Sequence, residues 1–308
     1  MEAGGLSGRP SPDRVFERIA ILAGQDRVVS ELPGGLTNHN YRVRTASHDV
    51  VVRISPPSTG LLAVDRDQEF RNSLAAASAG VGAEVMDYLP GQGVMVVAFI
   101  PDAITYDDAT LAANLTRVAN AVRCLHAGPE FANRFNIFAI QRRYLTIMRD
   151  KGFRLPDGYT DVLATAARME AALAANPEEL APCHNDLLAA NFLDTGSDLR
   201  IVDYEYSGAN EPAFELGNIA QEAHLSPEQL AALVAAYYGR EDAALIARAA
   251  LWSIASAYAW TLWGTIQAGL DAGDFDFWGW AMDKFDRARR AFASPDFEQL
   301  LDVVGAGR

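Results

Sequence analysis

Apolar positions recur with two different periods along the chain, and the change from one to the other divides it. Val15, Ile19 and Leu22, between Ser11-Pro12 and Gly24, predict a short helix with Ser11 as N-cap, Pro12 at its first position and Gly24 as its stop. The period then becomes two. Residues 28–32, 40–44 and 50–54 predict three strands of an antiparallel sheet; 84–88 and 94–99 predict two more around the turn Leu89-Pro90-Gly91-Gln92-Gly93. Residues 66–79 have helical composition. From Asp107 onward the pattern is mostly helical, interrupted where Asn191-Phe192-Leu193 and Leu199-Arg200-Ile201-Val202 flank Asp194-Thr195-Gly196-Ser197, the pattern of a tight hairpin. The fold class predicted is α+β. Residues 1–12, rich in Gly, Ser and Pro, read as a disordered tail, 13–100 as a small β-rich lobe with one helix, and 101–308 as a larger, mainly helical lobe.

The chemistry-bearing residues gather around the hairpin. Asp186, in Cys183-His184-Asn185-Asp186, is followed by Asn191 five residues on and by Asp203 twelve further, at the end of the apolar run Ile201-Val202. This spacing matches kinase-type phosphoryl transfer: the first Asp accepts the acceptor hydroxyl's proton, while the Asn and second Asp hold Mg²⁺ against the nucleotide phosphates. A hairpin explains the spacing, because both metal ligands then return to one edge. Taken alone, the triplet is also what a chance Asp/Asn pair beside an ordinary hairpin looks like.

Two upstream features agree with a phosphate-handling role. In Leu32-Pro33-Gly34-Gly35-Leu36-Thr37-Asn38, Gly34 and Gly35 let the backbone bend close to a ligand, and Thr37 and Asn38 offer donors to phosphate oxygens. Without context this is a two-glycine hairpin turn. Arg53 is a cation embedded in Val50-Val51-Val52-Arg53-Ile54, where a kinase supplies a cation to the nucleotide. Glu69, on the following helix, is its natural partner, with Asp65 and Asp67 as weaker candidates.

Composition narrows the partners. The 308 residues are 50% hydrophobic, enough for a substantial core, and 40 acidic against 26 basic residues give a net charge of −14. That balance argues against nucleic acid or an anionic membrane as partner, fits a cytoplasmic protein and suits a cationic substrate. Cys124 and Cys183 make no disulfide framework, and Cys183 reads as a small buried apolar residue. Residues 249–270 carry no charge over 22 positions, long enough for a membrane span, but their serines, threonines and Gln267 predict a buried helix instead.

These blocks together resemble the choline/ethanolamine kinases. The resemblance rests on Leu32 to Asn38, Val51-Val52-Arg53-Ile54, Ala98-Phe99-Ile100-Pro101, Cys183-His184-Asn185-Asp186, Ile201-Val202-Asp203-Tyr204-Glu205-Tyr206-Ser207-Gly208, Phe214-Glu215-Leu216-Gly217-Asn218 and Trp260-Thr261-Leu262-Trp263-Gly264-Thr265-Ile266-Gln267. It covers about residues 28–290 with the blocks in order. It implies a protein-kinase-like fold with Mg-ATP as donor and choline as acceptor. Asp186 becomes the base, Asn191 and Asp203 the Mg²⁺ ligands, and Phe99 with Ile100 the connector whose backbone receives adenine. Tyr206 and Glu222 fall near the substrate's cationic head, and Trp260, Trp263 and Trp280 fall where the family places an aromatic cage. Three indole faces attract a quaternary ammonium without hydrogen bonds, although tryptophans at helical spacing are ordinarily core. Ethanolamine, thiamine or an aminoglycoside are the alternative acceptors. A non-catalytic fold that binds nucleotide or amine is the alternative of another class. Oligomeric state stays open, a homodimer being one option.

Overall fold

The structure, a computed structural model, describes residues 12–33, 38–56, 61–270 and 275–306. Ser11, Gly34, Gly35 and Thr37, to which the sequence assigns a cap and phosphate contacts, lie outside those residues. By contacts the chain divides into Met1–Pro57 with Glu84–Phe99, and Ser58–Ala83 with Ile100–Arg308.

The smaller unit holds α1 (Pro12–Phe16), β1 (Val28–Leu32), β2 (His39–Arg44), β3 (Asp49–Ile54), β4 (Val85–Leu89) and β5 (Val94–Ala98). Its sheet is antiparallel, in the order β1-β2-β3-β5-β4. Alternation sends Val50 and Val52 to one face, where they join Val43, Val94, Val96, Phe16, Ile19 and Leu22 in a buried core. The expected helix over 11–24 is only partly α-helical. After Phe16 the chain winds on through tighter i→i+3 bonds, among them Ile19 N–H to Phe16 C=O and Leu22 N–H to Ile19 C=O. The same apolar residues are buried either way, so packing accepts the tighter winding.

The larger unit begins with α2 (Arg66–Ser78), capped by the Asp65 carboxylate, which accepts from the Asp67 and Gln68 amides. There follow β6 (Ile104–Thr105), α3 (Asp108–Ala113), α4 (Leu115–His126), α5 (Ile137–Lys151), α6 (Leu163–Ala175), β7 (Ala181–Cys183), β8 (Phe192–Asp194), β9 (Leu199–Ile201) and β10 (Gly208–Asn210). Helices α7 (Pro212–Glu222), α8 (Pro227–Tyr238), α9 (Ala243–Gly269), α10 (Phe277–Ala293) and α11 (Pro295–Gly305) complete it. The sequence reading put α2 in the β-rich lobe; contacts group it with the larger unit. Asn72 donates to the Ser207 carbonyl at 3.1 Å, and Arg66 reaches Glu205 at 3.1 Å, so α2 is tied to the segment after Asp203. The hairpin expected near 191–202 is present as β8 and β9, with β6 added beside β8. The pair β7 and β10 was not legible as strands: each is three residues long and β7 contains a proline.

Helix α9 is the axis of this unit, packed by α5, α7, α10 and α11. It is long and apolar enough to cross a membrane by length and composition, but it is mostly buried in this core. Its two threonine hydroxyls bond back to the helix: Thr261 donates to Ala257 C=O and Thr265 to Leu262 C=O. Gly217 lets α7 touch it, since a Cβ there would sit 2.5 Å from the Ala249 carbonyl oxygen.

Candidate active site

Helix α7 organises the loop that carries Asp186. Every residue from Ala213 to Glu222 is buried, so each polar side chain on it needs a partner. Glu215 accepts the backbone N–H of His184 at 2.6 Å and that of Asn185 at 3.1 Å. One turn on, Asn218 Oδ1 accepts the Leu187 N–H at 2.7 Å, and its Nδ2 donates to the Ser256 hydroxyl at 3.0 Å. Asn185 sits in the left-handed region at φ 69°, which Asn tolerates, and its amide donates to the carbonyls of Cys183, Tyr206 and Gly208, each at 3.1 Å. His184 spans the gap to the second metal-ligand candidate. Its Nε2 donates to the Val202 carbonyl at 2.9 Å while Nδ1 accepts the Asp186 N–H at 3.3 Å, a neutral tautomer consistent with the burial that lowers its pKa. Cys183 is fully buried, as expected of a small apolar residue, and burial pushes its thiol well up.

Asp186, Asn191 and Asp203 come together through this scaffold. Asn191 Nδ2 donates to the Asp186 carbonyl at 2.9 Å, and the Asn191 carbonyl accepts the Val202 N–H at 3.1 Å. The amide nitrogen of Asn191 is thus committed to the loop backbone, and Oδ1 is the atom it has for a metal. Asp203 takes φ 72°, a second left-handed residue at the loop's edge. An amide oxygen and a carboxylate are hard donors of the kind Mg²⁺ takes, so these residues fit that ion. Enclosure raises the Asp186 pKa well above the ordinary carboxylate range. The charges of Glu222, Glu205 and Asp203 add to the rise, and Lys284 opposes it.

The aromatic residues form a continuous wall. Trp263 Nε1 donates to the Tyr206 hydroxyl at 2.9 Å, and the Tyr206 ring meets Trp260 edge-on at 4.8 Å. Trp263 also meets Trp280 edge-on at 5.4 Å and Phe277 at 5.7 Å. Tyr206, Trp260 and Trp263 are buried and Trp280 is partly exposed. Gly264 permits the crossing, because a Cβ there would lie 2.8 Å from Trp280 Cε3. Glu222 is buried too, with Lys284 Nζ 2.7 Å from its Oε2 and Gln221 Nε2 bonded to its Oε1. Glu205 is likewise engaged, by Arg66, which also holds Glu69 at 2.6 Å.

In the smaller unit Arg53 is buried on β3, opposite Asn40 and Met95, and Asn38 is buried just before β2. The Phe99 N–H donates to the Asp49 carbonyl at 3.0 Å, and its ring lies 3.6 Å from the Arg42 guanidinium. Ile100 opens the second segment of the larger unit. The sequence reading missed Glu215, Asn218 and Lys284 as contributors. A signal existed for each: a carboxylate and an amide three apart on an apolar helix, and a lysine on the apolar face of α10.

A family model described as choline/ethanolamine kinase matches residues 29–236. Protein LicA of Haemophilus influenzae is 31% identical over 208 residues, covering 66% of this chain and 61% of LicA, so the chain spans less than two thirds of that relative. A solved choline/ethanolamine kinase family protein from Mesorhizobium loti matches with TM-score 0.83 and 35% identity, covering 96% of this chain and 99% of that one. The solved choline kinase LicA of Streptococcus pneumoniae matches with TM-score 0.78 at 22% identity, over 91% and 98% of the two chains, a likeness of fold. The fold class is α+β, protein-kinase-like.

Proposed function

The chain belongs to the choline/ethanolamine kinase family, and from that premise we propose that it is an ATP- and Mg²⁺-dependent kinase that phosphorylates the hydroxyl of choline, giving phosphocholine and ADP. The observation that carries the choice of choline is the cluster of Tyr206, Trp260, Trp263 and Trp280, whose Tyr206 lies within electrostatic reach of Asp186, because indole and phenol faces attract a cation that has no N–H to donate.

Asp186 acts as the base. Its backbone is held from both sides by His184 and Asn191, which fixes the carboxyl for that role. Asn191 and Asp203 would hold Mg²⁺, which when bound supplies positive charge to the transferring phosphoryl group. Arg53 would carry a second positive charge to the nucleotide phosphates.

An aminoglycoside is disfavoured by the same geometry. Several ammonium groups need several uncommitted carboxylates, yet Glu222 and Glu205 are already paired with Lys284 and Arg66. The test is a panel of choline, ethanolamine, thiamine and an aminoglycoside with purified protein and Mg-ATP, read as ADP release. Choline should give the highest kcat/KM. Turnover of thiamine or the aminoglycoside alone would overturn this reading.

A further inference from the structure

Lys284 is 1% exposed, on the face of α10 that Phe277, Ala281, Phe285 and Ala288 otherwise make apolar. A buried ammonium persists only where neighbours replace its water. Here Nζ donates to Glu222 Oε2 at 2.7 Å and to Gln221 Oε1 at 3.1 Å, and it lies 4.2 Å from the centre of the Trp280 ring. Gln221 is fixed in turn, because its backbone carbonyl accepts from Arg287 at 2.6 Å and its side-chain amide donates to Glu222 Oε1. The protein therefore carries its own cation against the carboxylate and indole that the sequence points to for the substrate.

That arrangement changes what remains for an amine. Lys284 offsets the charge of Glu222, and both of its oxygens are engaged by side chains of the same unit. The indole N–H groups of Trp260 and Trp263 are donors only, and the Trp263 N–H already uses the Tyr206 hydroxyl as acceptor. What the wall offers is π-face. A primary ammonium brings three N–H donors that must find acceptors when water leaves; a trimethylammonium brings none.

We propose that Lys284 is the specificity-determining residue of the amine site: by holding Glu222 and one face of Trp280, it leaves an acceptor-poor aromatic surface that takes a fully alkylated ammonium and disfavours a primary one. This rests on the amino-alcohol kinase reading above. Removing the lysine's charge frees a carboxylate beside the wall, which a primary ammonium can use and a trimethylammonium cannot bond.

The test compares kcat/KM for choline and ethanolamine in the wild type, Lys284→Met and Lys284→Arg. The Met variant should shift the choline-to-ethanolamine ratio toward ethanolamine by about tenfold, mostly through a lower ethanolamine KM. The Arg variant, which keeps the ion pair, should hold the ratio within about threefold. An unmoved ratio in Lys284→Met, or an equal loss toward both amines, overturns the role of Lys284 and leaves the kinase reading intact. A wild type that phosphorylates neither amine overturns both. Should the Met variant not fold, inhibition of the wild type decides. Tetramethylammonium should inhibit about tenfold better than methylammonium, and equal inhibition would overturn the proposal.

Discussion

Glu215, on a helix with no exposed residue from 213 to 222, accepts the backbone N–H of His184 at 2.6 Å, two positions ahead of Asp186. The same carboxylate takes the Asn185 N–H, and Asn218 takes that of Leu187. Loop amides that would otherwise be buried without partners are thereby answered by one face of one helix, and Asp186 is held by its neighbours' backbone.

Glu215→Ala should therefore destabilise the protein by about 2–4 kcal/mol, since two buried amides lose their acceptor. Urea unfolding measures this, and activity should fall even at temperatures where the variant is folded. An unfolding midpoint equal to wild type would mean the loop is held by other contacts.

Asp186→Asn should lower kcat by at least about 10²-fold while ATP affinity stays within a few-fold, because the loss falls on proton transfer. Asp203→Ala should weaken Mg-ATP binding as well, since it removes a metal ligand. Retention of more than about a tenth of kcat in Asp186→Asn, or an unchanged Mg²⁺ titration in Asp203→Ala, would move those roles elsewhere.

Much of this was legible in the sequence because local patterns were strong. The alternating strands of the smaller unit, the 191–202 hairpin and the Asp186-Asn191-Asp203 spacing are each short-range signals. Cys183 and the uncharged stretch 249–270 were readable as buried for the same reason. Less legible was anything decided by packing across the chain. Helix α2 joins the larger unit through Asn72 and Arg66, whose partners Ser207 and Glu205 lie more than a hundred residues away. The family pattern points to Glu222 for the amine, but the pairing of that residue with Lys284, on another helix, is a tertiary fact that no spacing rule reports.

The hairpin itself should carry a measurable acid dependence. Arg117, the Gly196 N–H and the Tyr106 hydroxyl hold the Asp194 carboxyl down to about 2, below its ordinary value of 3.8. A carboxyl whose folded pKa is depressed contributes stability that is present above the unfolded pKa and is lost as pH falls through the folded one. Arg117→Ala should thus cost about 0.5–1 kcal/mol near neutrality, the low figure reflecting the partial exposure of both side chains. The gap between wild type and variant should narrow as pH drops from about 4 toward 2. Urea midpoints across that range would show it; a constant gap would place the effect in packing instead of charge.

Trp263 joins the two halves of the aromatic wall, bonding Tyr206 through Nε1 and meeting Trp280 through its ring. Each cation–π contact is worth about 0.5–2 kcal/mol, so Trp263→Ala should raise the choline KM by roughly 3- to 30-fold with a smaller change in kcat. Gly264→Ala separates position from surface. The added methyl presses on Trp280, 2.8 Å from Cε3, without removing any aromatic side chain. It should raise the choline KM in the same direction but less, and leave Asp186 chemistry alone. If both variants instead lose melting temperature and lose activity toward choline and ethanolamine in equal proportion, the tryptophans are core only. The wall would then say nothing about the amine.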